Sequence, residues 1–152
     1  SPTGPPGHHG HGILERQFRL YFERARRRTG DTGANLVRAL ELRLDNVCYR
    51  LGFAATRPMA RQMVRHGFFD VNGKHVDIPS YGLNAGDIVS IHVTKRDKKA
   101  SAELKERVKR VKTPSWLLLN SKEIEGKILS APEGEELHDL IDPKLIVELY
   151  SR

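Results

Sequence analysis

The sequence is short of the groups on which most enzyme chemistry rests. Its one cysteine, Cys48, excludes an intramolecular disulfide and a multi-cysteine zinc site, and a reducing compartment is the simple inference. Neither a G-x-x-x-x-G-K-[ST] loop nor a G-x-G-x-x-G turn occurs among the 152 residues, which removes the common nucleotide-loop enzymes. No apolar run approaches the roughly 18 residues of a membrane span, so an integral membrane protein is excluded. The opening residues lack the charged, then apolar, then small order of a secretory signal. Hydrophobic residues are 38% and charged residues 30%. That suits one ordinary domain, or two small ones, with a heavily ionised surface.

What is abundant is positive charge. The net charge is +7 and the isoelectric point is near 9.8. Residues 13–80 hold 13 basic and 7 acidic side chains, and residues 95–112 hold 9 and 3. The stretch 81–94 carries only Asp87, and residues 113–152 are net acidic, with 4 basic against 8 acidic side chains. Two basic regions ahead of an acidic piece point to a polyanionic partner; the plainer alternative is a soluble basic surface.

Residues 1–12 are dominated by Pro, Gly and His and read as an arm. His8, His9 and His11 lack a scaffold to fix metal-ligand geometry, so a tag remnant or an RNA-touching arm fits better than a metal site. Helical periodicity predicts a helix over 13–28, with Leu14, Phe18, Tyr21, Phe22 and Ala25 on one face. Gly30 stops it, and Asp31 or Thr32 caps the next helix. Residues 34–51 repeat the pattern through Leu36, Leu40, Leu44, Val47 and Leu51, as one helix or as two with a bend near Arg43. A third helix is predicted over 57–66, with Pro58 in its first turn and Gly67 closing it. Phe69 and Val71 alternate into Asn72-Gly73, a type I′ turn signal, and Val76 and Ile78 alternate on return. A two-residue loop puts Val71 opposite Lys74 and Phe69 opposite Val76. The greasy face this makes needs a partner such as the Met59 and Met63 face of the preceding helix. After a turn at Asn84–Asp87, the residues Val89, Ile91 and Val93 predict another strand. A helix is predicted at 101–111, broken by Thr113-Pro114. Extended pieces are predicted at 116–119 and 127–129, and a final helix at 143–150.

The helix-and-hairpin unit at 53–78 has the strongest functional pattern. At about 100° per residue, Arg57, Arg61 and Arg65 share a narrow stripe. They rise about 6 Å per step, a spacing comparable with successive phosphates, and each guanidinium offers a fork of donors suited to phosphate oxygens. Asn72, Gly73 and Lys74 place backbone and a cation at a hairpin tip. The competing reading is a solvated face paired with acids; only Asp70 and Asp77 are near in sequence, which leaves the stripe under-neutralised. Catalytic patterns are weak. Cys48 lies on an apolar arc and reads as a buried thiol. His66, His75, His92 and His138 have no evident acid partner. Asp45 with Arg43 and Arg50 reads as a local charge set, not an acid–base dyad.

Several segments together resemble one family. They are Leu14-Glu15-Arg16-Gln17-Phe18, Arg43-Leu44-Asp45-Asn46-Val47, Tyr49-Arg50-Leu51-Gly52-Phe53-Ala54, Ala60-Arg61-Gln62-Met63-Val64-Arg65-His66-Gly67, Val71-Asn72-Gly73, Ile78-Pro79-Ser80-Tyr81 and Glu148-Leu149-Tyr150-Ser151-Arg152. In this order they resemble the bacterial-type small-subunit ribosomal protein number four (uS-four) family, from about Gly12 to Arg152 and least over 95–142. The resemblance implies an α+β fold: a mostly helical domain from 13–42 plus 95–152, and an inserted αL-motif RNA-binding module at 43–94, two helices on a small antiparallel sheet. It implies binding of small-subunit (16S-type) ribosomal RNA at a multi-helix junction, nucleation of assembly, a contribution to decoding accuracy, and contact with small-subunit ribosomal protein number five. It implies no enzyme activity, no cofactor, no metal, no membrane and no small-molecule substrate. The location implied is cytoplasmic, in the small ribosomal subunit, with an organellar ribosome left open.

Carried over by position, Arg57, Arg61, Arg65, Asn72 and Lys74 would be RNA contacts of the module. Arg16, Arg19, Arg43, Tyr49, Arg50 and Tyr81 are similar to family positions at or near RNA. The chain departs from the pattern at Phe68 and Gly82, where relatives carry His and Arg. Relatives also carry several dozen Lys- and Arg-rich residues ahead of the Leu14 helix, where the Pro-Gly-His arm stands here. Two rivals use the same module. An RNA-modifying enzyme needs a catalytic domain that 95–152 does not supply. A stand-alone module acting as a translational repressor or ribosome-rescue factor has no use for the Leu14 helix or the closing Tyr150-Ser151-Arg152. The acidic piece 133–142 reads as a solvated loop or as a contact with a basic neighbour.

Overall fold

The computed structural model describes residues 16, 18–26, 31–96 and 99–140. The final helix expected at 143–150 and the arm at 1–12 lie outside them. The chain divides into two compact units, one holding residues up to Leu40 and from Gly134 onward, the other Glu41–Glu133.

In the first unit, residues 18–26 form helix α1, and α2 spans Thr32–Glu41. The Asp31 carboxylate accepts from the Gly33 amide at 2.9 Å, which satisfies one of the free donors at the start of α2. Phe22 and Ala25 of α1 bury against Leu36, with Phe18, Tyr21 and Leu40 packed around them. The Asn35 amide donates to the Ala25 carbonyl at 3.3 Å, tying the two helices together. A short helix at Gly134–Leu140, α6, sets Leu137 and Leu140 against Ala34 and Val37. Part of the acidic piece is thus helical, with its few apolar side chains turned inward.

The second unit begins with α3, Leu44–Arg50. The bend near Arg43 is therefore a true break between two helices, and Arg43 is extended and bridged to Gly82. Helix α4 covers Arg57–Arg65. Thr56 caps it by accepting from the Met59 amide at 3.2 Å, and Pro58 sits in its first turn. Strand β1, Phe69–Val71, turns through Asn72 and Gly73, at φ 52° and 80°, into β2, Lys74–His75. Both positive φ values are those of the expected turn. Val71 pairs with Lys74, and the Val76 amide donates to the Phe69 carbonyl, so the register is as read.

Strand β3, Ile88–Ile91, pairs with β1. It stops short of Val93, which lies in a 3-10 turn at Val93–Lys95 and is 67% exposed. The alternation of Val89, Ile91 and Val93 overran the ladder: Ile91 already faces Phe69, the first residue of β1, so Val93 has no neighbour to pair with. Helix α5, Lys99–Val108, buries Leu104 and Val108. Strands β4, Leu117–Asn120, and β5, Glu125–Ile128, then complete an antiparallel sheet of order β2-β1-β3-β5-β4. Because β5 pairs with β3, residues up to Glu133 belong to the second unit, whereas the sequence reading grouped 95–133 with the N-terminal helices.

A lone hairpin such as β1–β2 is marginal in water. Its stability comes from one core in which Phe53, Phe69, Leu44, Leu51, Val64 and Ile128 are fully buried, with Met59, Met63 and Val76 at its margin. Phe53 and Phe69 stack at 5.7 Å. Gly126 is required by close approach: a Cβ there would lie 2.2 Å from Leu51 Cδ1, so the residue that ends α3 packs directly on β5. No helix of the described residues is long and apolar enough to cross a membrane.

Candidate nucleic-acid interface

The stripe on α4 is real, and its three arginines have different surroundings. The Arg57 Nε donates to Asn46 Oδ1 at 3.1 Å, and its guanidinium lies 4.5 Å above the Tyr49 ring. Arg61 Nε approaches Asp45 Oδ2 at 3.5 Å, with its side chain 38% exposed. Arg65 is exposed and has no hydrogen bond or ion pair among the described residues. Among the described residues one acid therefore reaches the stripe, and it is Asp45 from α3 rather than Asp70 or Asp77. At 3.5 Å and with this exposure the pair stabilises little and leaves Arg61 donors free for phosphate.

The arginines flanking α3 are spent inside the fold. Arg43 grips Asp45 with two bonds of 3.1 and 3.0 Å. Asp45 also accepts from the Asn46 amide at 2.7 Å. Arg50 grips Glu41, not Asp45, at 3.1 and 3.2 Å. Asn46 joins the two sets: its Nδ2 donates to Glu41 Oε1 and to the Glu41 carbonyl, both at 2.8 Å, while its Oδ1 receives Arg57. Glu41, Asp45 and Asn46 thus organise the cations, although the sequence reading did not single out Glu41 or Asn46. All three are buried polar residues, and such residues persist when hydrogen-bonded.

At the hairpin tip, Lys74 is exposed and unpaired among the described residues. Asn72 is engaged internally. Its Nδ2 donates to Asp87 Oδ1 and its Oδ1 accepts from the Ile88 amide, each at 2.9 Å. It positions the tip against the 84–87 turn. Tyr81 is 39% exposed, and its carbonyl accepts from the Leu44 amide at 2.9 Å, at the start of α3. In the first unit, Arg16 and Arg19 are both exposed.

Among the described residues no acid–base pair stands in a geometry suited to catalysis. Cys48 is fully buried, and burial, with the Asp45 charge adding to it, pushes its thiol well above the usual range; such a thiol is unreactive. One histidine does have an acid partner: His92 Nδ1 lies 2.8 Å from Asp70 Oδ1. His75 stacks on His92 at 4.0 Å with the rings 9° apart and donates through Nε2 to the Gly67 carbonyl at 2.9 Å. Asp70, His75 and His92 offer three possible metal ligands within 4.8 Å. Their parallel rings set the in-plane lone pairs side by side instead of converging, so the trio reads as a clip between β2 and the end of β3. Phe68 is buried beside Phe69.

The second unit thus presents a basic row of fixed spacing beside an unpaired lysine tip, over a scaffold of buried ion pairs. Residues 42–89 match the S4 domain. Over 170 aligned residues, the chain is 43% identical to small ribosomal subunit protein uS4 of Thermodesulfovibrio yellowstonii, covering 97% of this chain and 82% of that one. It is 49% identical over 144 residues to uS4A of Alkaliphilus oremlandii, and 48% over 145 to uS4 of Desulforamulus reducens, each covering 93% of this chain and 68% of the relative. With agreement of this extent, the chain belongs to the family of small ribosomal subunit protein uS4, whose members are structural and not enzymatic.

Proposed function

We propose that this chain is a structural constituent of the small ribosomal subunit that holds ribosomal RNA where several helices converge. Its mechanism is geometric. Arginines preset by Asp45 and Asn46, with the bare Arg65 and Lys74, meet phosphates at a spacing the fold fixes. The ordering cost of the Arg57 and Arg61 side chains falls partly on folding and not on binding. The observation carrying this reading is the α4 row, in which one cation is braced by Asn46 and Tyr49, one is loosely held, and one is free. Arg16 and Arg19 of the first unit extend the same chemistry. Nucleation of assembly, influence on decoding accuracy, and contact with small-subunit ribosomal protein number five are the finer parts of the proposal. Organising an RNA junction early is the physical route to the first two.

The test is the salt dependence of binding to small-subunit ribosomal RNA. Each neutralised phosphate contributes a log–log slope of about −0.7 to −0.9. Replacing Arg57, Arg61 and Arg65 together by Gln is expected to flatten the slope by about 2 and weaken binding, with circular dichroism unchanged. An unaltered slope removes α4 from the interface. Co-sedimentation with small subunits in high salt separates this reading from a stand-alone repressor or rescue factor, which would be lost from that fraction.

A further inference from the structure

The second unit holds a cavity of about 430 Å³ that the α4 row does not include. Tyr49 and Arg50 enter it from the end of α3, Ala54 and Ala55 from the following loop, and Arg110 and Lys112 from beyond α5. Among the described residues no carboxylate lines it. We propose that this cavity receives a single unpaired nucleotide of the RNA, its base against Tyr49 and the alanine loop and its phosphates on Arg110 and Lys112. The inference rests on the RNA-binding reading above and specifies a second contact of a different kind.

Four observations carry it. The volume is of the size that holds a small organic ligand and suits one nucleotide. The walls combine an aromatic ring and small apolar side chains with cations, the pairing that single-stranded nucleic acid selects, stacking for the base and charge for the backbone. The walls are also fixed. Arg50 is clamped by Glu41, and Arg107, which shares the lining, donates to the Phe53 carbonyl at 3.0 Å. Arg110 and Lys112, by contrast, are exposed and have no side-chain partner among the described residues, which leaves their charge for a ligand. Finally, the cavity adjoins the α4 row, because its Tyr49 wall is the ring over which Arg57 lies at 4.5 Å. A strand following the row arrives at the cavity mouth. The basic run at 95–112, for which the sequence reading gave no site residue, thereby gains a role.

The probe is a pair of RNA hairpins, identical except that one carries a single bulged 2-aminopurine. The full chain is expected to bind the bulged hairpin about tenfold more tightly, the scale of one base–aromatic stack, with a change in 2-aminopurine fluorescence. Ala55→Trp fills the cavity without altering charge; it is expected to abolish the preference while binding the unbulged hairpin as before. The exposed double variant Arg110→Gln with Lys112→Gln, which does not disturb packing, is expected to lower the preference at least fivefold and stands in should the tryptophan variant misfold. Equal binding of both hairpins by the unmodified chain, or a preference that survives the double variant, overturns the proposal. So does millimolar uridine monophosphate binding that Ala55→Trp abolishes without any bulge preference, which would make the cavity a free-nucleotide site. Replacing the three α4 arginines by Gln weakens both hairpins alike if the wider reading holds. If that variant binds both as before while the bulge preference persists, the α4 row fails and the cavity stands.

Discussion

Arg43 and Arg50 flank α3, and Arg57 and Arg65 begin and end α4. As letters in a sequence the two pairs are equivalent. In the fold they are opposites. The first two are each clasped by a carboxylate, with side chains 13% and 27% exposed. Arg65 projects into solvent, and Arg57 is held by neutral groups, Asn46 and Tyr49. Formal charge therefore overstates the charge a polyanion meets near α3 and describes it well along α4. The α3 pair thus braces the scaffold, and the α4 pair faces the surface.

The largest effect is expected at Asp45. Its carboxylate serves Arg43, Arg61 and the Asn46 amide, and its side chain is 8% exposed. Asp45→Ala leaves the Arg43 guanidinium enclosed without its acid, which costs about 3–5 kcal/mol. Arg65→Ala changes stability by no more than about 0.5 kcal/mol. Urea unfolding at unchanged m reads both. Equal losses would erase the distinction between scaffold and surface.

How far the sequence foretold this depends on the range of the interactions. The Asn72-Gly73 turn, the Pro58 start of α4 and the facing of Val71 on Lys74 are set by neighbours a few residues apart, and each was readable. The stripe was readable too, since a helix fixes positions four apart. The acid on that stripe was not: Asp45 and Arg61 are sixteen residues apart and meet because α3 packs on α4. The same holds for Arg50, which ignores the nearer Asp45 for Glu41, and for His92, which finds Asp70 across the β1–β3 ladder. Helix α6 was missed because Leu137 and Leu140 alone among Glu135, Glu136, His138 and Asp139 give too little apolar periodicity. The membership of β4 and β5 in the module's sheet depends on pairing with β3, which no local pattern announces.

A smaller, sharper effect concerns binding alone. Arg65→Gln and Lys74→Gln remove cations with no structural duty among the described residues. Each is expected to lower the salt slope of RNA binding by about 0.7–0.9 with thermal unfolding unmoved. Arg43→Gln is expected to do the reverse, lowering the unfolding midpoint while the slope at matched folded fraction stays put. A slope that falls equally for Arg43 and Arg65 would mean that Arg43 leaves Asp45 to meet phosphate.

The smallest effect tests whether Asp45 is as charged and as enclosed as this division requires. Burial, and then the Asp45 charge, raise the Cys48 thiol in the folded chain. A group raised on folding contributes its stability below its unfolded value and loses it as pH climbs past that value. The native thiol is still protonated above about pH 8.5, while the unfolded one has begun to ionise. Stability should therefore decline with alkalinity at up to about 1.4 kcal/mol per pH unit from this group. Cys48→Ala, compared with the parent at each pH, isolates that slope from the tyrosines and lysines. In Asp45→Asn the desolvation remains and the carboxylate's push is gone, so the thiol ionises at lower pH than in the parent and its ultraviolet thiolate absorbance in the folded chain sets in at lower pH. If the substitution leaves that onset unchanged, Asp45 holds no effective charge beside Cys48, and the ion pairs beneath α4 lose the acid that organises them.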